Sequence, residues 1–171
     1  QYFNQGEFEK AAEYYLKSYK KTNSVPYFDK YIVCLSNTEN FDEAEKALKK
    51  EIKRNPQRFA FQVNLGEIYF QAKNVTEANK TWDEVVKKLP ENQGEIIPMA
   101  YLFTQIDQPQ YAIRSYEIGK KYITGFYSYY PQMADLYGIL GDYENMIDLY
   151  LELIEINAGY LQTVQNLFNR N

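Results

Sequence analysis

Nucleophilic, acid–base and metal chemistry each need particular side chains at particular spacings, and this chain offers few of them. Its single cysteine, Cys34, stands in a sequence with no histidine. Nothing of the usual kind could take its proton, so the expected role is a buried small hydrophobe and not a nucleophile. The same absence removes the commonest general base and the commonest metal ligand. Carboxylates gather in "ENFDEAE" at 39–45 and "GDYEN" at 141–145. Both groups fall where helices are expected to begin, and acids there complement the helix dipole. A calcium loop or a catalytic pair would need several convergent oxygens instead. "NVT" at 74–76 is a glycosylation acceptor only in a secreted eukaryotic protein. "KALKKEIKRNP" at 46–56 reads as a solvated basic helix face, and no Gly-rich phosphate loop is present. The residues therefore predict no enzyme, no cofactor and no metal.

The elements that would carry a function of another kind must come from the bulk of the chain. Its 171 residues suffice for a real core, and with 45% hydrophobic and 17% aromatic content, including 18 Tyr, the chain is expected to fold. A pI near 5.0 argues against a nucleic-acid partner. Charge is unevenly placed: residues 1–91 hold 15 Lys and Arg against 14 Asp and Glu, whereas residues 92–171 hold 4 against 9. The second half thus favours a neutral or basic partner over an acidic one. No apolar run reaches the length of a membrane span, so this segment is expected not to insert into a membrane. Abundant Lys, Asn, Ile and Tyr fit an AT-rich bacterial gene, with cytoplasm and cell envelope both open. A chain that opens on Gln1 reads as a piece of a longer protein.

Self-similarity organises the rest. Small residues recur at Ala11, Ala44, Ala78 and Ala112, and Met146 continues the column, at separations of 33, 34, 34 and 34. Four residues later stand Tyr15, Leu48, Trp82, Tyr116 and Tyr150, all large; nine residues earlier stand Tyr2, Leu35, Tyr69, Phe103 and Tyr137. Twelve before come Ile32, Gly66, Ala100 and Ala134. Offsets of three, four and seven inside each unit are the helical period, so each unit reads as two amphipathic helices. Turn signals divide them in "NQGEF", "NTENF", "AKNVT", "QIDQP" and "ILGDY".

At these residues the chain resembles the tetratricopeptide repeat family, most clearly in "NLGEIYFQAKNVTEANKTW" at 64–82, with Pro90 closing the unit. The predicted division is a partial repeat 1–24, repeats 25–58, 59–92, 93–126 and 127–160, and a partial repeat 161–171, all in one segment cut mid-repeat at both ends. The resemblance implies an all-α fold, a right-handed superhelical α-solenoid of stacked antiparallel hairpins whose first helices line a concave groove. It also implies a non-catalytic protein–protein interaction scaffold, within a larger and bacterial, cell-envelope assembly as one setting. The rival reading is a peptide-sensing regulatory domain coupled to an effector domain elsewhere in the protein.

Carried over residue by residue, the resemblance places Val63, Asn64, Glu67, Phe70 and Gln71, then Ile97, Tyr101 and Gln105, then Asp135 in the groove, with Asp29, Val33, Ser36, Asn37, Thr104, Gln132 and Ile139 beside them. Amides there would bond a peptide backbone while rings bury its side chains. Phe70 and Tyr101 lie outside the core columns and are expected to anchor a partner. One subfamily grips acidic chaperone C-termini with lysine, asparagine and arginine; the matching positions here are Asp29, Val33, Asn64, Gly94 and Pro98, of which only Asn64 agrees. Prolines 98 and 131 are both expected to open first helices, after longer connections. Phe126, Tyr127 and Tyr129 in the second connection either pack on the preceding hairpin or rim the groove.

Overall fold

Small and large columns repeating every 34 residues produce helices throughout the computed structural model, which describes residues 2–168. The order is α1 (Phe8–Thr22), α2 (Val25–Asn37), α3 (Phe41–Arg54), α4 (Phe59–Gln71), α5 (Val75–Lys88), α6 (Gln93–Gln105), α7 (Pro109–Tyr122), α8 (Tyr130–Ile139), α9 (Tyr143–Ile156) and α10 (Leu161–Phe168). Short 3-10 segments occupy Phe3–Gln5, Phe126–Tyr129 and Ala158–Tyr160. The fold is all-α, with no strand among the described residues.

The turns show why the period is so regular. Gly6, Glu39, Lys73, Asp107 and Gly141 all take a left-handed backbone, with φ of 75°, 55°, 64°, 56° and 73°. The next N–H in each case reaches back to the carbonyl of Tyr2, Leu35, Tyr69, Phe103 or Tyr137, at 2.8–3.1 Å. Five different sequences thus make one helix-terminating turn, whose bonds satisfy carbonyls the helix leaves open. Only two of the five use glycine, so Glu39, Lys73 and Asp107 hold their conformation against an intrinsic cost. Two of the second helices, α5 and α9, start on polar caps: Asn74 Oδ1 accepts from the Glu77 N–H at 3.3 Å, and Asp142 Oδ1 from the Asn145 N–H at 3.3 Å.

Two compact units divide the chain, residues 1–85 and 86–171, with the last turn of α5 in the second. In the first unit α1 packs on α2 and α3 on α4. The core there joins Ala11, Phe28, Ile32, Cys34, Leu35, Ala44, Leu48, Phe61 and Leu65, with Phe28 and Phe61 edge to face at 5.3 Å. Gly66 in α4 marks a close crossing. The Trp82 indole of α5 lies over it, fully buried, and donates Nε1–H to the Val63 carbonyl at 3.0 Å. In the second unit α6 packs on α7 and α8 on α9, and Met99, Ala100, Phe103, Ala112, Tyr116, Met133, Ala134 and Leu153 are buried.

Two expectations about connections need correction. Pro98 does not open a helix: α6 begins five residues earlier at Gln93, capped by the Asn92 side chain, which accepts from the Glu95 N–H at 3.2 Å. Pro98 sits inside the helix because both it and Gly94, whose carbonyl it leaves without an N–H, face solvent. The connection 89–92 is therefore as short as 55–58 before α4. Only 123–129 is long, and there Pro131 does stand in the first turn of α8.

Candidate functional site

The first helices α2, α4, α6 and α8 carry the residues expected to meet a partner, and each unit presents its own set. In the first unit Val33 and Phe70 are exposed, with Asp29, Ser36, Asn64, Glu67 and Gln71 half-buried. A polar relay ties two of these helices together. The Ser36 hydroxyl of α2 donates to the Gln71 side-chain oxygen of α4, and Gln71 Nε2 donates to Glu67 Oε1 at 3.0 Å. Burial pushes the Glu67 carboxyl above its ordinary value, and the Gln71 bond offsets this only in part. Asp29 is also raised by burial, against the pull of the Arg58 charge. This face is therefore an amide-rich surface with two acids that hold protons unusually well. It is suited to hydrogen-bonding a backbone.

Val63 does not belong to it. Its relative exposure is 0% and its carbonyl is taken by Trp82, so its side chain is core. The resemblance that placed Val63 in the groove fixes its position along α4 but not which neighbours cover it. Phe70 is 42% exposed, but its ring also packs on Trp82, with centroids 5.9 Å apart. It is part cover for the core and not solely an anchor.

In the second unit Tyr101 is 61% exposed, with Gln105 and Thr104 also exposed and Ile97 half-buried on the same helix. On α8, Gln132, Asp135 and Ile139 are exposed, and Asp135 Oδ1 accepts from the Tyr150 hydroxyl at 3.4 Å. The aromatic connection is mainly core. Phe126 is buried, and its ring fills the space over Gly119 where a Cβ would come within 2.2 Å of ring carbon Cε2. Tyr129 stacks on Tyr116 at 6.2 Å and accepts from Gln93 Nε2 at 2.8 Å, while Tyr127 remains exposed. An isolated glycine inside the helical pattern of α7 was the sequence signal for that packing.

Cys34 is wholly buried, and burial pushes its thiol up, the opposite of an activated nucleophile. Among the described residues no group of three or more Cys, Asp or Glu could hold a metal. No helix described is long and apolar enough to cross a membrane.

Tetratricopeptide-repeat models match residues 35–92 and 127–160, together more than half of the chain. The chain belongs to the tetratricopeptide-repeat family. Solved structures with similar folds include MamA, 17% identical over 94% of this chain and 88% of its own, with a TM-score of 0.47. Nearly identical TPR-like repeats assigned to a kinesin light chain of Podosopora anserina are 18% identical over 94% and 92%, with a TM-score of 0.49. PilF of Pseudomonas aeruginosa is 17% identical over 93% and 72%, with a TM-score of 0.42. These are similarities of fold alone. No match was found among curated protein sequences. Tetratricopeptide repeats are typically non-catalytic scaffolds, and the fold supports a protein-interaction scaffold with protein partners here.

Proposed function

We propose that repeats 25–58, 59–92, 93–126 and 127–160, with the partial repeats 1–24 and 161–171, act as one interaction scaffold. Its first-helix faces hold a peptide or protein segment of neutral or basic character. The observation that carries this reading is Tyr101, a large ring 61% exposed in the middle of α6, where packing gives no reason for its size. Gln105 on the same helix and Asp135 on α8 add polar groups within its own unit, and the first unit separately carries Asn64, Glu67 and Gln71; each set is suited to a backbone and to basic side chains. The scaffold would serve in a larger assembly.

The test is a photo-reactive residue at position 101, used to crosslink and identify a partner in the full protein's own cell, followed by titration calorimetry of that partner against Tyr101→Ala. Truncating a central aromatic anchor costs about 2 kcal/mol of binding or more, which is tenfold or more in Kd. Thermal stability should be unchanged, since the ring is exposed. Equal affinity for wild type and variant would refute the reading.

A further inference from the structure

Away from the first-helix faces, two surfaces on opposite units match each other in charge, spacing and polarity. On the first unit a cleft of 480 Å³ opens between α1 and α3, with Phe28 and Tyr31 of α2 on its floor and Leu16 and Ala47 on its walls. Its volume lies in the usual range for a ligand-sized site, roughly 300–1,000 Å³. Lys46, Lys50 and Arg54 line one rim at i, i+4 and i+8 along α3, and Lys20 stands on the other. Two acids also line the cleft, and both take donors from the protein itself. Glu43 Oε1 accepts from the Tyr31 hydroxyl at 2.7 Å; buried Glu51 accepts from Arg54 Nη1 at 3.0 Å. The rim is left net positive.

On the second unit α9 has no Lys or Arg. Tyr143, Ile147 and Leu151 are exposed at i, i+4 and i+8, and one residue further round the helix Glu144 and Asp148 are exposed, with Glu155 beyond. The helix thus presents an apolar stripe flanked by an acidic one. Glu152 is set apart from that stripe by its bond to Lys120 at 2.9 Å. Rise along a helix puts i and i+4 about 6 Å apart, so the cations of α3 and the acids of α9 repeat at one spacing.

We propose that the apolar, acidic face of α9 in one copy of this chain docks into the basic-rimmed cleft between α1 and α3 of a second copy. Ile147 and Leu151 enter between the helices, and Glu144 and Asp148 meet Lys46 and Lys50. The second copy is the occupant because its two faces carry complementary charge: the 1–91 half is slightly basic and the 92–171 half strongly acidic. The contact joins unlike surfaces, so each association leaves one cleft and one α9 face unused, and assemblies grow beyond a dimer unless they close.

Sedimentation velocity on the full chain tests this across a hundredfold range of concentration at low and high salt. Growth with concentration, weakened by salt, is the expected result. Asp148→Lys and Lys50→Glu, both at exposed positions, should each weaken association at least tenfold. Mixing the two variants, or combining them, should restore it. Leu151→Gln should weaken it without changing the salt dependence. A monomer at every concentration overturns the proposal, as does association that both charge reversals leave unaltered or that their combination does not restore.

Discussion

Replacing Gly66 with alanine is the smallest change that probes the crossing on which the first unit depends. A Cβ at this position would lie 2.2 Å from Trp82 Nε1, 2.6 Å from Cδ1 and 2.7 Å from Cε2. Those atoms belong to a rigid, fully buried ring, not to the free end of a flexible side chain. The indole must therefore move, and two costs follow. Overpacking contributes about 1–3 kcal/mol. If the shift breaks the bond from Nε1–H to the Val63 carbonyl, a buried donor is left unpaired, for about 1–3 kcal/mol more. Alanine in a helix interior returns about 1 kcal/mol relative to glycine. With the bond broken the net expectation is a loss of about 1–5 kcal/mol. Trp82 is the only tryptophan in the chain, so its fluorescence reports this crossing directly. Urea unfolding followed by that signal should show a lowered midpoint for Gly66→Ala. Gly94→Ala, where the nearest atom to a new Cβ is the Asn92 Oδ1 at 3.3 Å on an exposed turn, should shift it little. A Gly66→Ala protein as stable as wild type would mean that α4 and α5 do not cross where the structure places them, and the register of the repeats would fall with it.

Cys34, wholly buried with its thiol pushed up, should resist alkylation in the native protein and react only as the chain unfolds; rapid labelling of native protein would contradict this. Glu67 has a folded pKa above its ordinary 4.5, so the folded state binds its proton more tightly, and the group's contribution to stability is lost as pH rises through the folded value. Glu67→Gln, whose side-chain oxygen can still accept from Gln71, should therefore raise the melting temperature at pH 7, with the difference disappearing below pH 4.5; a variant less stable at pH 7 refutes the sign. Lys73 holds a φ of 64° at an exposed turn, and Lys73→Gly should relieve about 1 kcal/mol of strain less the entropy that glycine adds to the unfolded chain. Thermal melting should show it neutral to slightly stabilised, and a marked loss of stability would mean that the Lys73 side chain holds the turn.

The helical character of the chain was legible in the residues because burial of one face repeats with the helical period. A column such as Ala44, Ala78 and Ala112 can only be small where helix backbones approach. The turns were legible as breaks but not as a single backbone shape, since Glu39, Lys73 and Asp107 are not residues that announce a left-handed conformation. Exposure at one position was the least legible property. Val63 and Asn64 are neighbours in one helix, yet the first is sealed under Trp82 and the second half-open. For Phe126 the residues left packing on the preceding hairpin and rimming the groove both open, and the space over Gly119 that its ring fills decides for packing. Pro98 looked like a helix start, because sequence cannot tell that its side of α6 faces solvent. Periodicity is a local property, written into spacings along the chain, and by itself it determined the all-α repeat and the columns of the core. Which ring covers which glycine, and which carboxyl is desolvated, depends on contacts between residues tens of positions apart. Only the tertiary structure decided those, because burial is a property of neighbours in space.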